Sequence, residues 1–137
     1  MIVIDTNIII SALIKESITR KIIIESGFSF AYPEISMQEI LRYRGYILEK
    51  GNYNESNFNS ILNKLFEYIN LVPLKIVNSK LSEAKKIMEK IDINDIIFLA
   101  TALALNKATI WSDDKDFERQ KIIKIIKTKD MLKLFEK

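Results

Sequence analysis

Acidic residues recur at four separate places in this chain where an acid is hard to explain. Asp5 ends the opening apolar run Met1-Ile-Val-Ile. Glu39 follows Ser36-Met-Gln, and Asp95 leads the apolar run from Ile96 to Leu103. Asp113, Asp114 and Asp116 follow the stretch Ala108-Thr-Ile-Trp-Ser112. A carboxylate beside an apolar run loses hydration and needs something in exchange. Two carboxylates about 4 Å apart repel by roughly 4 kcal/mol at an effective dielectric of about 20. If these segments meet in the fold, their acids must be protonated or share a cation. One or two Mg²⁺ or Mn²⁺ ions would relieve the repulsion. Such ions lower the pKa of bound water and clamp an in-line phosphoryl displacement.

The remaining composition points the same way. The chain has no His and no Cys. That excludes disulfides, thiolate chemistry, the usual zinc sites and imidazole acid–base catalysis. Hard oxygen ligands select Mg²⁺, Mn²⁺ or Ca²⁺. A net charge of +3 is mildly basic and compatible with a nucleic-acid partner. No signal peptide or membrane-spanning run is visible, so a soluble, cytoplasmic protein is expected.

These acids need a scaffold. The 137 residues, 48% of them hydrophobic, suit one globular domain over 1–137. Ile fills about 26 positions, an excess that favours buried strands and helix stripes. Residues 1–5 read as a buried parallel strand. Asp5-Thr6-Asn7 offers caps for a helix over 8–14, and a second helix over 18–26 closes at Gly27. Phe28 to Tyr32 reads as a second strand. A capping box of Ser36 and Glu39 opens a helix to about 48, which Gly51 breaks. Asn54 or Ser56 starts an amphipathic helix through Ile69. Leu71 to Val77 is the third strand, where Pro73 implies an edge position or a late start. A helix from Ser79 or Ser82 to Lys90 and a very apolar helix over 94–106 follow. Ala108 to Trp111 and Ile122 to Ile126 are strands four and five, and a helix over 128–136 ends the chain. Strands alternating with helices predict a three-layer α/β/α fold with a five-stranded parallel sheet.

On that plan the acids share an edge. Ligands of open α/β sheets collect beyond the carboxyl ends of the strands. Asp5, Asp113 and Asp114 follow strand ends, while Glu39 and Asp95 sit in first helical turns. Each also has a plain structural explanation. Glu39 completes a capping box, Asp95 suits a helix dipole, and Asp113 to Asp116 can be a solvated turn. Asp5 is the hardest to dismiss this way. Their joint placement is the argument for a site.

The same residues resemble the PIN-domain family of metal-dependent ribonucleases. Ile2-Val-Ile-Asp5-Thr-Asn7 is similar to its first motif, and Ser36-Met-Gln-Glu39-Ile40 to its second. Asp95-Ile-Ile-Phe-Leu-Ala100 resembles the third, and Trp111-Ser-Asp-Asp114-Lys-Asp116-Phe117 the fourth. The resemblance covers nearly the whole chain. It implies Mg²⁺ or Mn²⁺ held by Asp5, Glu39, Asp95 and Asp114, the catalytic set, with Asp116 as an auxiliary ligand or a supporting group behind them. Asn7 and Ser112 would support these ligands by hydrogen bonds. Asp113 competes with Asp114, and Asp92 with Asp95.

The activity implied is hydrolysis of phosphodiester bonds in single-stranded RNA. Many small stand-alone members are toxins silenced by an antitoxin protein, and they commonly form homodimers. Arg42, Arg44 and Lys115 are candidate RNA contacts, with a solvated helix face as the plainer reading. Lys121 to Lys127 reads as a core strand with snorkelling lysines. Receiver and haloacid-dehalogenase-like phosphatase patterns fit poorly. The first needs paired acids after strand one, and the second needs an Asp where Asn7 stands. The alternative from another class is a non-catalytic PIN-like module that binds RNA or a partner.

Overall fold

The computed structural model describes residues 1–14, 17–88 and 92–137. Its centre is strand β1 (Ile2–Ile4), flanked on one side by β2 (Phe30–Pro33) and β3 (Ile69–Val72). On the other side lie β4 (Thr109–Trp111) and β5 (Ile125–Ile126). All pairings are parallel, in the order β3-β2-β1-β4-β5. The chain moves outward from β1 to β3 and then returns to lay β4 on the opposite side. The direction therefore switches between β1 and β4, and a crevice opens there at their carboxyl ends.

Helices α1 (Thr6–Ile14), α2 (Ile18–Glu25), α4 (Arg44–Gly51) and α5 (Glu55–Phe66) pack together as one layer. Helix α8 (Ile93–Ala104) lies against β1, β2 and β4, with α6 (Leu74–Asn78) and α7 (Leu81–Ile87) packed on it. The short α3 (Met37–Arg42) sits against α1, and the final α9 (Thr128–Glu136) against α2. The result is the expected three-layer α/β/α fold. Strands β1, β2 and β4 are buried by helices on both sides, so they carry continuous apolar runs. Phe30 stacks at a tilt on Trp111 with centroids 5.9 Å apart, and Tyr32 meets Phe98 at 5.7 Å and Phe66 at 5.8 Å. All of these but Phe66 are fully buried.

Several boundaries differ from the sequence reading for local reasons. Strand β3 ends at Val72, because Pro73 takes the N-cap of α6 rather than continuing a strand to Val77. It is the edge strand, as a proline there implies. The helix expected from Ser36 to 48 is interrupted at Tyr43, which separates α3 from α4. Helix α4 runs through Gly51 and stops at Asn52, which adopts the left-handed conformation at φ 56°. Asn54 opens α5 by a reciprocal capping box with Asn57. Strand β5 holds only Ile125 and Ile126, so the lysine-bearing segment before it is not a core strand. Buried Gln120 explains this. Its amide donates to the carbonyls of Phe117 and Ile123 and accepts from the N–H groups of Ile122 and Ile123. One side chain thus replaces the ladder partners those residues would need in a strand. The expected helix end at Lys90 lies outside the described residues. Among the described residues, no helix is long and apolar enough to cross a membrane.

Candidate metal centre

Asp5 stands where β1 ends, with its backbone N–H still bonded to the Trp111 carbonyl at 3.1 Å. The chain then turns at once into α1, so the Asp5 carboxylate accepts from the backbone N–H groups of Thr6 and Asn7. Ser112, one residue past β4, donates its hydroxyl to Asp5 Oδ2 at 2.7 Å. The same Ser112 oxygen accepts from the Asp114 N–H at 3.1 Å. One serine therefore ties the ends of β1 and β4 together across the crevice. Burial pushes the Asp5 carboxyl above its ordinary range, opposed by the Ser112 hydrogen bond and reinforced by the charge of Asp114.

Glu39 arrives from α3. Its Oε1 accepts from the Thr6 hydroxyl at 3.1 Å. The Thr6 hydroxyl lies 2.7 Å from the Tyr32 hydroxyl, which in turn donates to the Ser36 carbonyl at 2.9 Å. The predicted capping box is absent. Ser36 belongs to a 3-10 turn with helical backbone angles, and its buried hydroxyl has no partner among the described residues. Glu39 is thereby held by α1 instead of by its own helix start. Burial raises its pKa, the Asp5 charge adds to this, and Arg42 on the next turn opposes it.

Asp95 lies in the first turn of α8. Asp92, its competitor, is committed as N-cap and accepts from the Asn94 N–H at 3.0 Å. The Asp95 carboxyl is pushed up to about 7, first by burial and then by the charges of Asp114, Asp5, Asp92 and Asp116. Asp113 and Asp114 also separate cleanly. Asp113 accepts from the Thr128 N–H at 2.8 Å and from its hydroxyl at 2.7 Å, pinning the start of α9. Asp114 accepts from the Asp116 N–H at 2.9 Å and turns the chain into a 3-10 segment, Lys115–Arg119. One carboxylate oxygen each from Asp95, Asp114 and Asp116 lie within 4.8 Å of one another. Asp116 also reaches Arg119 at 3.4 Å.

Asp5, Glu39, Asp95, Asp114 and Asp116 thus come from four distant segments to one crevice. The donor set fits a hard divalent cation: it is all oxygen, crowded, and reinforced by hydroxyl and backbone donors. The pKa values of Asp5, Glu39 and Asp95 are raised first by burial and then by the neighbouring acids, and a bound cation would oppose both by favouring the ionised carboxylates. Thr6 and Tyr32 were missed in the sequence reading. The available signal was a tyrosine inside an otherwise apolar strand, since a buried phenol needs a partner. For Asn7 it is the backbone N–H that serves Asp5, and its exposed side chain lines a cavity of about 460 Å³ beside Asp5 and Asp114. Arg42 and Lys115 are exposed near Glu39 and Asp114, whereas Arg44 turns to Glu55 at 3.7 Å.

Comparison with known proteins agrees with this architecture. No curated protein matches the chain significantly. Solved structures do match at the level of fold. One is described as VapBC2 from Rickettsia felis bound to a DNA fragment from their promoter. It is 20% identical with a TM-score of 0.68, covering 93% of this chain and 98% of that one. A toxin–antitoxin complex from Klebsiella pneumoniae is 17% identical with a TM-score of 0.60, covering 85% and 90%. FitAB bound to an IR36 DNA fragment is 21% identical with a TM-score of 0.57, covering 93% and 94%. A family model for the PIN domain matches residues 3–133. The chain belongs to the PIN-domain family, whose members are generally nucleases.

Proposed function

We propose that this chain is a single-domain, divalent-metal-dependent endoribonuclease that hydrolyses phosphodiester bonds of single-stranded RNA. The observation that carries the reading is the convergence of Asp5, Glu39, Asp95 and Asp114 at the switch point between β1 and β4. These four would hold Mg²⁺ or Mn²⁺, with Asp116 as an auxiliary ligand. When bound, such an ion activates water and stabilises charge developing on phosphoryl oxygens. The chain's own residues keep the carboxylates in place. Ser112 orients Asp5, and Thr6, backed by Tyr32, orients Glu39. Arg42 and Lys115 flank the crevice and would contact the RNA backbone, with Arg44 the weaker candidate because Glu55 engages it.

The likeness to a complex described as toxin–antitoxin supports placing the chain among cytoplasmic toxins. On this reading it forms a homodimer and is silenced by a partner protein.

The test is cleavage of labelled single-stranded RNA. Cutting is expected with Mn²⁺ and not with EDTA, and a loss of about 100-fold or more is expected for Asp5→Asn. Cleavage undiminished by EDTA or by Asp5→Asn would sink the mechanism. Arg42→Ala with Lys115→Ala should flatten the salt dependence of RNA affinity by about two charges. An unchanged slope would remove both from the interface.

A further inference from the structure

Tyr43 and Tyr46, at the corner between α3 and α4, differ from the anchored tyrosines of this fold. The phenol of Tyr32 is tied to Thr6 and the Ser36 carbonyl, and that of Tyr53 accepts from Arg20 at 3.1 Å. Tyr43 and Tyr46 are 47% and 49% exposed, and neither hydroxyl bonds to a described residue. A Cβ at Gly45 would meet nothing within 4 Å, so the described residues leave this corner uncovered. Its position relative to the acids follows from the helix. The Tyr43 N–H donates to the Glu39 carbonyl at 3.2 Å, one turn back, and the Ile47 N–H donates to the Tyr43 carbonyl at 2.9 Å. Residues three and four apart on such turns are neighbours, with Cβ atoms about 5–6 Å apart. Glu39, Tyr43 and Tyr46 therefore form a row that leads away from the crevice. Lys50 extends it, with its Nζ 5.9 Å from the Tyr46 ring centroid.

We propose that Tyr43 and Tyr46 are specificity-determining residues, rings on which the unpaired bases of an RNA leaving the crevice stack. The proposal rests on the ribonuclease reading above. Charge selects this occupant over an apolar protein surface. Residues 40–48 contain two arginines and no acid, and the Arg42 charge is felt at Glu39. Cations interleaved with rings match the alternation of phosphate and base along a single strand. A double helix keeps its bases stacked inside, so these rings favour unpaired RNA. Stacking is also tolerant of sequence, because every base has a face to offer.

The experiment measures fluorescence anisotropy in EDTA, where no cutting is expected. The probes are a labelled single-stranded RNA of about ten nucleotides and an abasic ribose-phosphate oligomer of the same length. The wild type should bind the RNA about fivefold or more tighter than the abasic oligomer. Tyr43→Ala with Tyr46→Ala should abolish that preference, with abasic affinity, Mn²⁺ affinity and Tm unchanged. Tyr43→Phe with Tyr46→Phe should keep it, because stacking needs the ring and not the hydroxyl. Equal binding of both probes by the wild type, or an alanine variant that keeps the preference, would overturn the proposal. So would an alanine variant that changes only the oligomeric state in sedimentation, since the corner then holds protein. RNA cleavage by a wild type without base preference removes the stacking rings and keeps the ribonuclease reading. Ring-dependent base preference without cleavage in Mn²⁺ keeps the rings and removes the ribonuclease.

Discussion

Asp95→Asn should stabilise the metal-free protein at alkaline pH and do little at acidic pH. In the fold the Asp95 carboxyl is raised from 3.8 to about 7 by burial and by four neighbouring acids. The folded state therefore holds a proton that the unfolded chain has lost. Stability attached to this group is present at low pH and declines as pH rises from about 4 to about 7. The full difference corresponds to roughly 4 kcal/mol at about 1.4 kcal/mol per pH unit. Asp95 is only half-buried, so solvent screening reduces this to about 2 kcal/mol. Asparagine cannot ionise and escapes the loss. In EDTA at pH 8 the variant should melt about 6 °C above the wild type, and at pH 4 the two should nearly coincide. Differential scanning calorimetry at the two pH values reads this directly. A variant less stable than the wild type at pH 8 would refute the view that the carboxylates repel one another in the metal-free fold.

Three further perturbations separate structural from ligand roles. Asp113→Asn should lower stability by about 1 kcal/mol through its bonds to Thr128 while leaving Mn²⁺ affinity intact, whereas Asp114→Asn should weaken Mn²⁺ binding. Calorimetry showing the reverse pattern would exchange their assignments. Tyr32→Phe removes the hydroxyl between Thr6 and the Ser36 carbonyl, with an expected loss of about 1–3 kcal/mol in denaturant unfolding and weaker Mn²⁺ binding. Unaltered metal affinity would show that Glu39 is held without this chain of bonds. Gly51→Ala should destabilise by about 1–3 kcal/mol, because a Cβ there meets the Tyr53 ring and the Ile14 carbonyl. A neutral result in urea unfolding would mean that the Tyr53 ring swings away freely.

The centre of the sheet was legible because β1 and β4 are buried and leave short apolar runs in the sequence, while β2 showed in the alternation of Phe28 to Tyr32 before Pro33. The edges were harder. At the edge strand β3 both Asn70 and Leu71 are exposed, so the apolar signal shifted toward the helix that follows Pro73. Before β5, Ile122 and Ile123 mimic a strand while Gln120 folds them into a loop. The acids at the crevice were readable from their positions after strands and in first helical turns. The engagement of Asp113 was not, because it depends on Thr128, fifteen residues away. The support of Glu39 by Thr6 was invisible for the same reason, since that contact spans 33 residues. Ser36 illustrates the opposite failure. A local motif was present, but the preceding turn placed the serine in helical geometry, where it cannot cap.

Titration of Mn²⁺ at pH 8 by calorimetry, into the wild type and into Asp5→Asn, Glu39→Gln, Asp95→Asn and Asp114→Asn, tests most directly whether the four segments build one cation site. Uptake by the wild type should be weakened by about tenfold or more in each variant. No uptake by the wild type, or variants that bind as tightly as it does, would contradict a shared metal centre.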